Sequence, residues 1–208
     1  MNGENLFNAA TVMYKAGEEI EAMLEKLFSL LEQKLETVDG IRKVEFKDDN
    51  ADDTSEWVYR DLIRNYCIYK KSARNPSAYL AIQIKLCDTK EAKIVGPQSL
   101  LYVLFSSGGD WALDEFLLHS AVSEGFELED GCLWQRYDDD EDRSQQRSWS
   151  DAECAFVVPL TAFNTSEDLQ EMIIDPIYLL MTTGLIPQKM DQRILRFKIK
   201  DLEVRLTS

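Results

Sequence analysis

The chain contains a single histidine, His119, and its four cysteines, Cys67, Cys87, Cys132 and Cys154, stand 20, 45 and 22 residues apart. No Cys-x-x-Cys pair exists, which excludes a zinc knuckle and a thioredoxin-type redox site. The cysteines sit among apolar or aromatic neighbours and read as buried free thiols of a reducing compartment, here the cytoplasm. Any Ser-His-Asp or Cys-His catalytic set would have to use His119, and no Gly-x-Ser-x-Gly elbow accompanies it. In Phe116-Leu117-Leu118-His119-Ser120 it reads as a helix residue satisfied locally. Neither Gly-x-Gly-x-x-Gly nor Gly-x-x-x-x-Gly-Lys-Ser/Thr occurs, so the common nucleotide cradles are missing too. No apolar run approaches the roughly 18 to 20 residues of a membrane helix. Met1-Asn2-Gly3-Glu4 opens without the basic region that precedes a secretory signal. With only 9 Gly and 5 Pro, no linker divides the chain, and the 208 residues are expected to form one domain.

What is present is an ordinary apolar fraction, 45%, with 38 Asp plus Glu against 23 Lys plus Arg, a net charge of −15. That composition supports a folded core rather than an acidic disordered chain. The first 38 residues carry apolar positions three or four apart (Ile20, Leu24, Leu27, Leu31, Leu35) against a glutamate-rich face. They predict a long amphipathic helix, laid on a sheet or docking a partner. A strand over 41–47, an acidic loop over 48–53 and a helix from Thr54 through Tyr66 are expected next, then strand over 65–71. Strands over 78–87 and 100–105 follow, then a helix over 111–123 closed by Gly125. Asp130-Gly131 marks a two-residue hairpin, and 153–163 another strand. Thr165 or Ser166 caps a last helix that Asp175-Pro176 should kink or divide, and 193–206 finishes as a strand. The order predicts an α+β fold with a largely antiparallel sheet.

Charge is segregated along the chain. Residues 1–56 carry 14 acids and 6 bases, and 99–186 carry 18 acids and 3 bases. By contrast, 57–98 carry 8 bases and 3 acids, and 187–208 carry 6 bases and 3 acids. Bulk acidity excludes nonspecific coating of nucleic acid, though not a local basic site.

The acidic peaks, Asp48, Asp49, Asp52 and Asp53, then Asp138, Asp139, Asp140, Glu141 and Asp142, are candidate contacts for a protein partner, a basic one foremost. As EF-hands they fail, with Asp53 and Arg143 where the turn needs glycine, and Tyr59 and Trp149 where the bidentate glutamate belongs. No metal or cofactor is expected. In 57–98, aromatics interleave Arg60, Arg64, Lys70, Lys71 and Arg74, a mixture able to contact nucleic acid or another anion.

An alternative is enzymatic. Metal-dependent phosphodiester cleavage needs carboxylates for the metal and a lysine near the attacked phosphate. Glu45-x-Lys47 and Gln83-x-Lys85, with Asp61 upstream of the second, resemble the restriction-endonuclease arrangement, which implies a site of Glu45, Asp61, Gln83 and Lys85. The leading expectation is non-enzymatic: an interaction or regulatory protein (inhibitor, immunity-like factor or assembly subunit) acting through its acidic loops and N-terminal helix.

Overall fold

The computed structural model describes residues 3–53, 59–86, 88, 90–112, 115–123, 125–129, 132–136, 152–183, 190–200 and 203–207. The long helix α1 (Gly3–Leu35) is followed by β1 (Ile41–Asp53), β2 (Tyr59–Lys70) and β3 (Ala78–Lys85). A one-turn helix α2 (Ala92–Val95) precedes β4 (Leu100–Ser106), and β5 (Glu127–Glu129) pairs with β6 (Cys132–Arg136). Then come β7 (Ala152–Pro159), α3 (Ser166–Leu169), a π turn Gln170–Ile174, α4 (Asp175–Thr183), β8 (Phe197–Lys200) and β9 (Glu203–Leu206). Seven strands form one sheet in the order β1-β2-β3-β4-β7-β6-β5, antiparallel throughout, while β8 and β9 pair separately. The fold is α+β, as the element order implies.

Alternation along the central strands sends side chains to two cores. Leu80, Ile82 and Ile84 of β3 and Leu101, Val103 and Phe105 of β4 meet Leu24, Leu27, Leu31 and Leu35 of α1 and Ile173 and Ile177 of the C-terminal helix. Ala81, Leu100, Tyr102 and Leu104 face the opposite way, under Trp111, Phe116 and Leu118 and the hairpin residues Phe197 and Val204. Covered on both faces, β4 is buried along its whole length.

Several expectations change. The acidic run 48–53 is strand, not loop: β1 continues through it, with Asp48 opposite Asn65 and Asp52 opposite Asp61. The expected helix leading to Tyr66 is strand β2, because alternation of Leu62, Arg64 and Tyr66 against Asp61, Ile63 and Asn65 lets the strand bury residues on both faces. Its proposed cap at 54–56 lies outside the described residues. The expected helix at 111–123 gives way to turns and irregular backbone at its described residues, 111–112 and 115–123. Trp111, Phe116, Leu118 and Ala121 are its buried anchors, and their spacing of five, two and three matches no helical stripe. His119 therefore stands on a turn. Gly125 does end the segment, at a φ of 95° that favours glycine. The hairpin around Asp130-Gly131 forms with Glu129 opposite Cys132, and the last strand is split into β8 and β9.

Thr165 caps α3: its Oγ1 accepts from Asp168 N at 3.2 Å, while the Asp168 carboxylate accepts from Thr165 N at 2.8 Å. The π turn ends immediately before Asp175-Pro176. A wider turn there accommodates a ring that cannot donate to the preceding turn, so the helix continues through a proline that would otherwise break it.

Candidate functional site

Burial of α1 stops part-way along it. From Leu24 to Leu35 every third or fourth residue is fully buried, but residues 4–10 and 12–15 are all exposed. The apolar stripe does not stop there. Met13 and Leu6 continue it, and Phe7, Val12 and Tyr14 to either side are also large and apolar, with Phe7 69% and Val12 66% exposed. Beneath this overhang lies a groove of about 570 Å³ between the helix residues Met13, Gly17 and Ile20 and the strand residues Leu62 and Ile84, with Leu86 just past the end of β3. Three glutamates, Glu18, Glu21 and Glu25, also line it, with no lysine or arginine among the lining residues. Gly17 stays helical within α1 and lines the groove without a side chain.

The residues of the endonuclease-like reading are only partly assembled. Asp61 is the direct cross-strand partner of Lys85, and Gln83 lies between Ile63 and Tyr102. Glu45 does not join them. It lies opposite Cys67 on β1, six residues along from Asp61, or about 20 Å at ~3.3 Å per residue. Its carboxylate accepts from Lys43, which lowers its pKa. No single metal could bind all four. Nor, among the described residues, do three His, Cys, Asp or Glu side chains converge on one metal position.

In place of that four-residue site there is a buried polar cluster that sequence spacing did not reveal. Lys85 is 2% exposed, with its Nζ 4.0 Å from Asp88 Oδ2 and 5.7 Å from the centre of the Tyr102 ring. Glu91, also 2% exposed, accepts from Leu118 N at 3.0 Å and lies 3.6 Å from His119 Nδ1. Burial pushes the Glu91 carboxyl above its ordinary range, against the opposing pull of Lys85. Burial likewise raises the Tyr102 phenol, with the Glu91 charge adding to it. At Asp88, burial acts upward but is outweighed by the N–H groups of Glu91 and Lys90, and the net shift is down. Chemically this is a carboxyl held beside an ammonium in a low-dielectric setting, yet Asp61, Gln83, Lys85 and Glu91 are all sealed from solvent. No nucleic-acid strand reaches Lys85. The one early signal was Asp88 placed three residues ahead of Glu91, where its carboxylate caps the following turn at 2.7 and 3.1 Å.

The basic–aromatic segment is likewise dispersed. Arg64 lies under α1 and donates to Glu21, Lys71 faces Asp39 at 3.4 Å, and Arg74 is exposed beyond the end of β2. Lys70 pairs at the far end of the β1–β2 ladder, opposite Ile41, while Arg60 sits near its other end. Tyr66 is core, stacked 5.2 Å from Phe28. One continuous contact surface is therefore not formed. Of the acidic candidates, Asp48 and Asp49 are exposed on β1, the terminal strand of the sheet, and Asp52 and Asp53 continue it. Charged side chains on a terminal strand oppose edge-to-edge pairing. Asp138, Asp139, Asp140, Glu141 and Asp142 lie outside the described residues. No family model, curated protein or solved structure matches the chain.

Proposed function

We propose that the protein is a non-enzymatic interaction or regulatory protein, of the kind represented by inhibitors, immunity-like factors and assembly subunits, which acts by docking a protein partner. The observation that carries this reading is the apolar stripe of α1, which leaves the sheet at Ile20 and continues exposed through Met13 and Leu6, with Phe7 exposed beside it. Contiguous exposed apolar surface of this kind is characteristic of interaction sites. The groove beneath it has the form that receives an amphipathic helix, and Glu18, Glu21 and Glu25 along it favour a partner with basic residues flanking its apolar face. The acidic strand end from Asp48 to Asp53 adds to the same preference. Buried free thiols at Cys67, Cys132 and Cys154 support a cytoplasmic setting. Among the described residues no helix is long and apolar enough to cross a membrane.

The enzymatic alternative, a nuclease or other nucleic-acid enzyme using a carboxylate and lysine, draws support from the adjacency of Asp61 and Lys85. It lacks Glu45 and any opening onto the lysine. Co-purification from the native cell, run in parallel with a Leu6→Ser/Phe7→Ser/Met13→Ser variant, tests the docking reading. A partner retained by the native chain and lost by the folded variant supports it, with retention weakening as salt screens the glutamates. The same proteins recovered with both chains would overturn it.

A further inference from the structure

The two basic segments of the chain, remote in sequence, meet in the fold. Helix α2 packs against β9, and between them opens a cleft of about 540 Å³ lined by Lys90, Lys93, His119 and Arg205, with Ile94, Val204 and Leu206 as its apolar part. Lys198 stands directly opposite Arg205 in the β8–β9 ladder. Lys90 and Lys93 are exposed and make no ion pair among the described residues. In a protein with a net charge of −15, such a concentration of cations around one cavity departs sharply from the average surface. Behind it, His119 is oriented from within. Its Nδ1 is buried, 3.6 Å from the sealed Glu91 carboxylate, and the 27% of its side chain that remains exposed borders the cleft.

We infer that this cleft binds a small anionic ligand in which a phosphate or sulfate group is joined to an apolar or aromatic part. Lys90, Lys93 and Arg205 supply charge-assisted hydrogen bonds to the anion, and Ile94, Val204 and Leu206 cover the apolar portion. The volume falls within the range of small-molecule sites. The cleft is separate from the α1 groove, shares no lining residue with it, and stands or falls independently of the docking reading.

Adenosine monophosphate, inorganic phosphate and adenosine serve as probes, followed by amide NMR on the full chain. The nucleotide is expected to shift the signals of Lys93, His119, Val204 and Leu206 in a saturable way, phosphate to shift a subset more weakly, and adenosine to leave them unmoved at equal concentration. Lys90→Ala/Lys93→Ala removes only exposed side chains, so the fold should persist. It should weaken nucleotide binding by roughly tenfold or more, as expected for lost charge-assisted contacts. Lys26→Ala, on α1, should bind as the native chain does. Absence of saturable shifts at millimolar nucleotide, equal shifts with adenosine, or unchanged affinity in the double variant would each overturn the inference.

Discussion

Arg64 on β2 donates a hydrogen bond to Glu21 on α1, and this ion pair marks the place where the helix leaves the sheet. C-terminal to it the helix is part of the core; N-terminal to it the same helix is exposed. The two halves should respond oppositely to mutation. Leu27→Ala removes a fully buried side chain and should cost about 3 to 5 kcal/mol. Leu6→Ser, Phe7→Ser and Met13→Ser act on exposed positions, and together should leave the thermal midpoint within about 2 °C of native. Thermal unfolding of both variants checks this. Comparable losses would mean that the overhang packs against the rest of the chain.

Asn65 clamps the turn-rich segment to the sheet. It is 3% exposed, its Nδ2 donates to Trp111 O at 3.0 Å and Asp48 Oδ1 at 3.1 Å, and its Oδ1 accepts from Trp111 N at 3.3 Å. Asn65→Ala strands two backbone groups in the core and should cost about 2 to 4 kcal/mol. Asn65→Asp removes the donors and places a carboxylate beside Asp48, so its loss should be larger at pH 7 than at pH 4. Urea unfolding at the two pH values measures the difference. Equal losses at both would show that Asp48 is not felt at this site.

Lys85 is the buried cation facing Asp88, Glu91 and Asp61. Lys85→Met keeps the aliphatic volume but leaves the carboxylates uncompensated, at a cost of about 3 kcal/mol or more at pH 7. The sign with pH follows from Glu91. Its carboxyl is raised in the folded state, so the stability gained from protonating it is present below the ordinary carboxyl range and is lost as pH rises through the folded value. Without Lys85 to pull that value down, the variant should recover much of its deficit near pH 5. A deficit independent of pH would contradict an electrostatic origin.

Asp168 behaves in the opposite sense. The N–H of Asn164, then Arg193 and Thr165, hold its carboxyl at about 2. A depressed carboxyl contributes stability above its unfolded value of 3.8, and that contribution is lost as pH falls from there toward 2. Asp168→Asn should lower the thermal midpoint at pH 7 and flatten its decline between pH 4 and pH 2. A parallel decline in both proteins would show that the cap and the Arg193 contacts contribute nothing to acid stability.

The core half of α1, the alternation of β3, the buried β4, the two-residue hairpin and the Thr165 cap were legible because each is a local pattern. Misreadings arose where tertiary contacts decided the outcome. The spacing of Tyr59, Leu62, Ile63 and Tyr66 fits a helix, but β3 on one side and β1 on the other make it a strand. The turns around Trp111 are held by Asn65, 46 residues earlier, a contact no local window contains. The candidate site shows the same division. Asp61, Gln83 and Lys85 were found by spacing and do lie on adjoining strands. Glu45 was added by a spacing that register refutes, and Glu91 enters only through the packing of α2 beneath the turns. Segmental charge pointed to a local basic site, but only the pairing of α2 with β9 gives it a cavity.

The docking surface is tested most directly by methyl NMR of the full chain titrated with two synthetic amphipathic helical peptides. Both carry the same leucine face, one flanked by lysines and the other by glutamates. The lysine peptide should shift the methyl signals of Val12, Met13, Ile20, Leu62 and Ile84 while the glutamate peptide leaves them in place, and Glu18→Lys/Glu25→Lys should reverse that preference. Unmoved signals with the lysine peptide, or equal shifts with both peptides, would contradict a groove built for a basic partner.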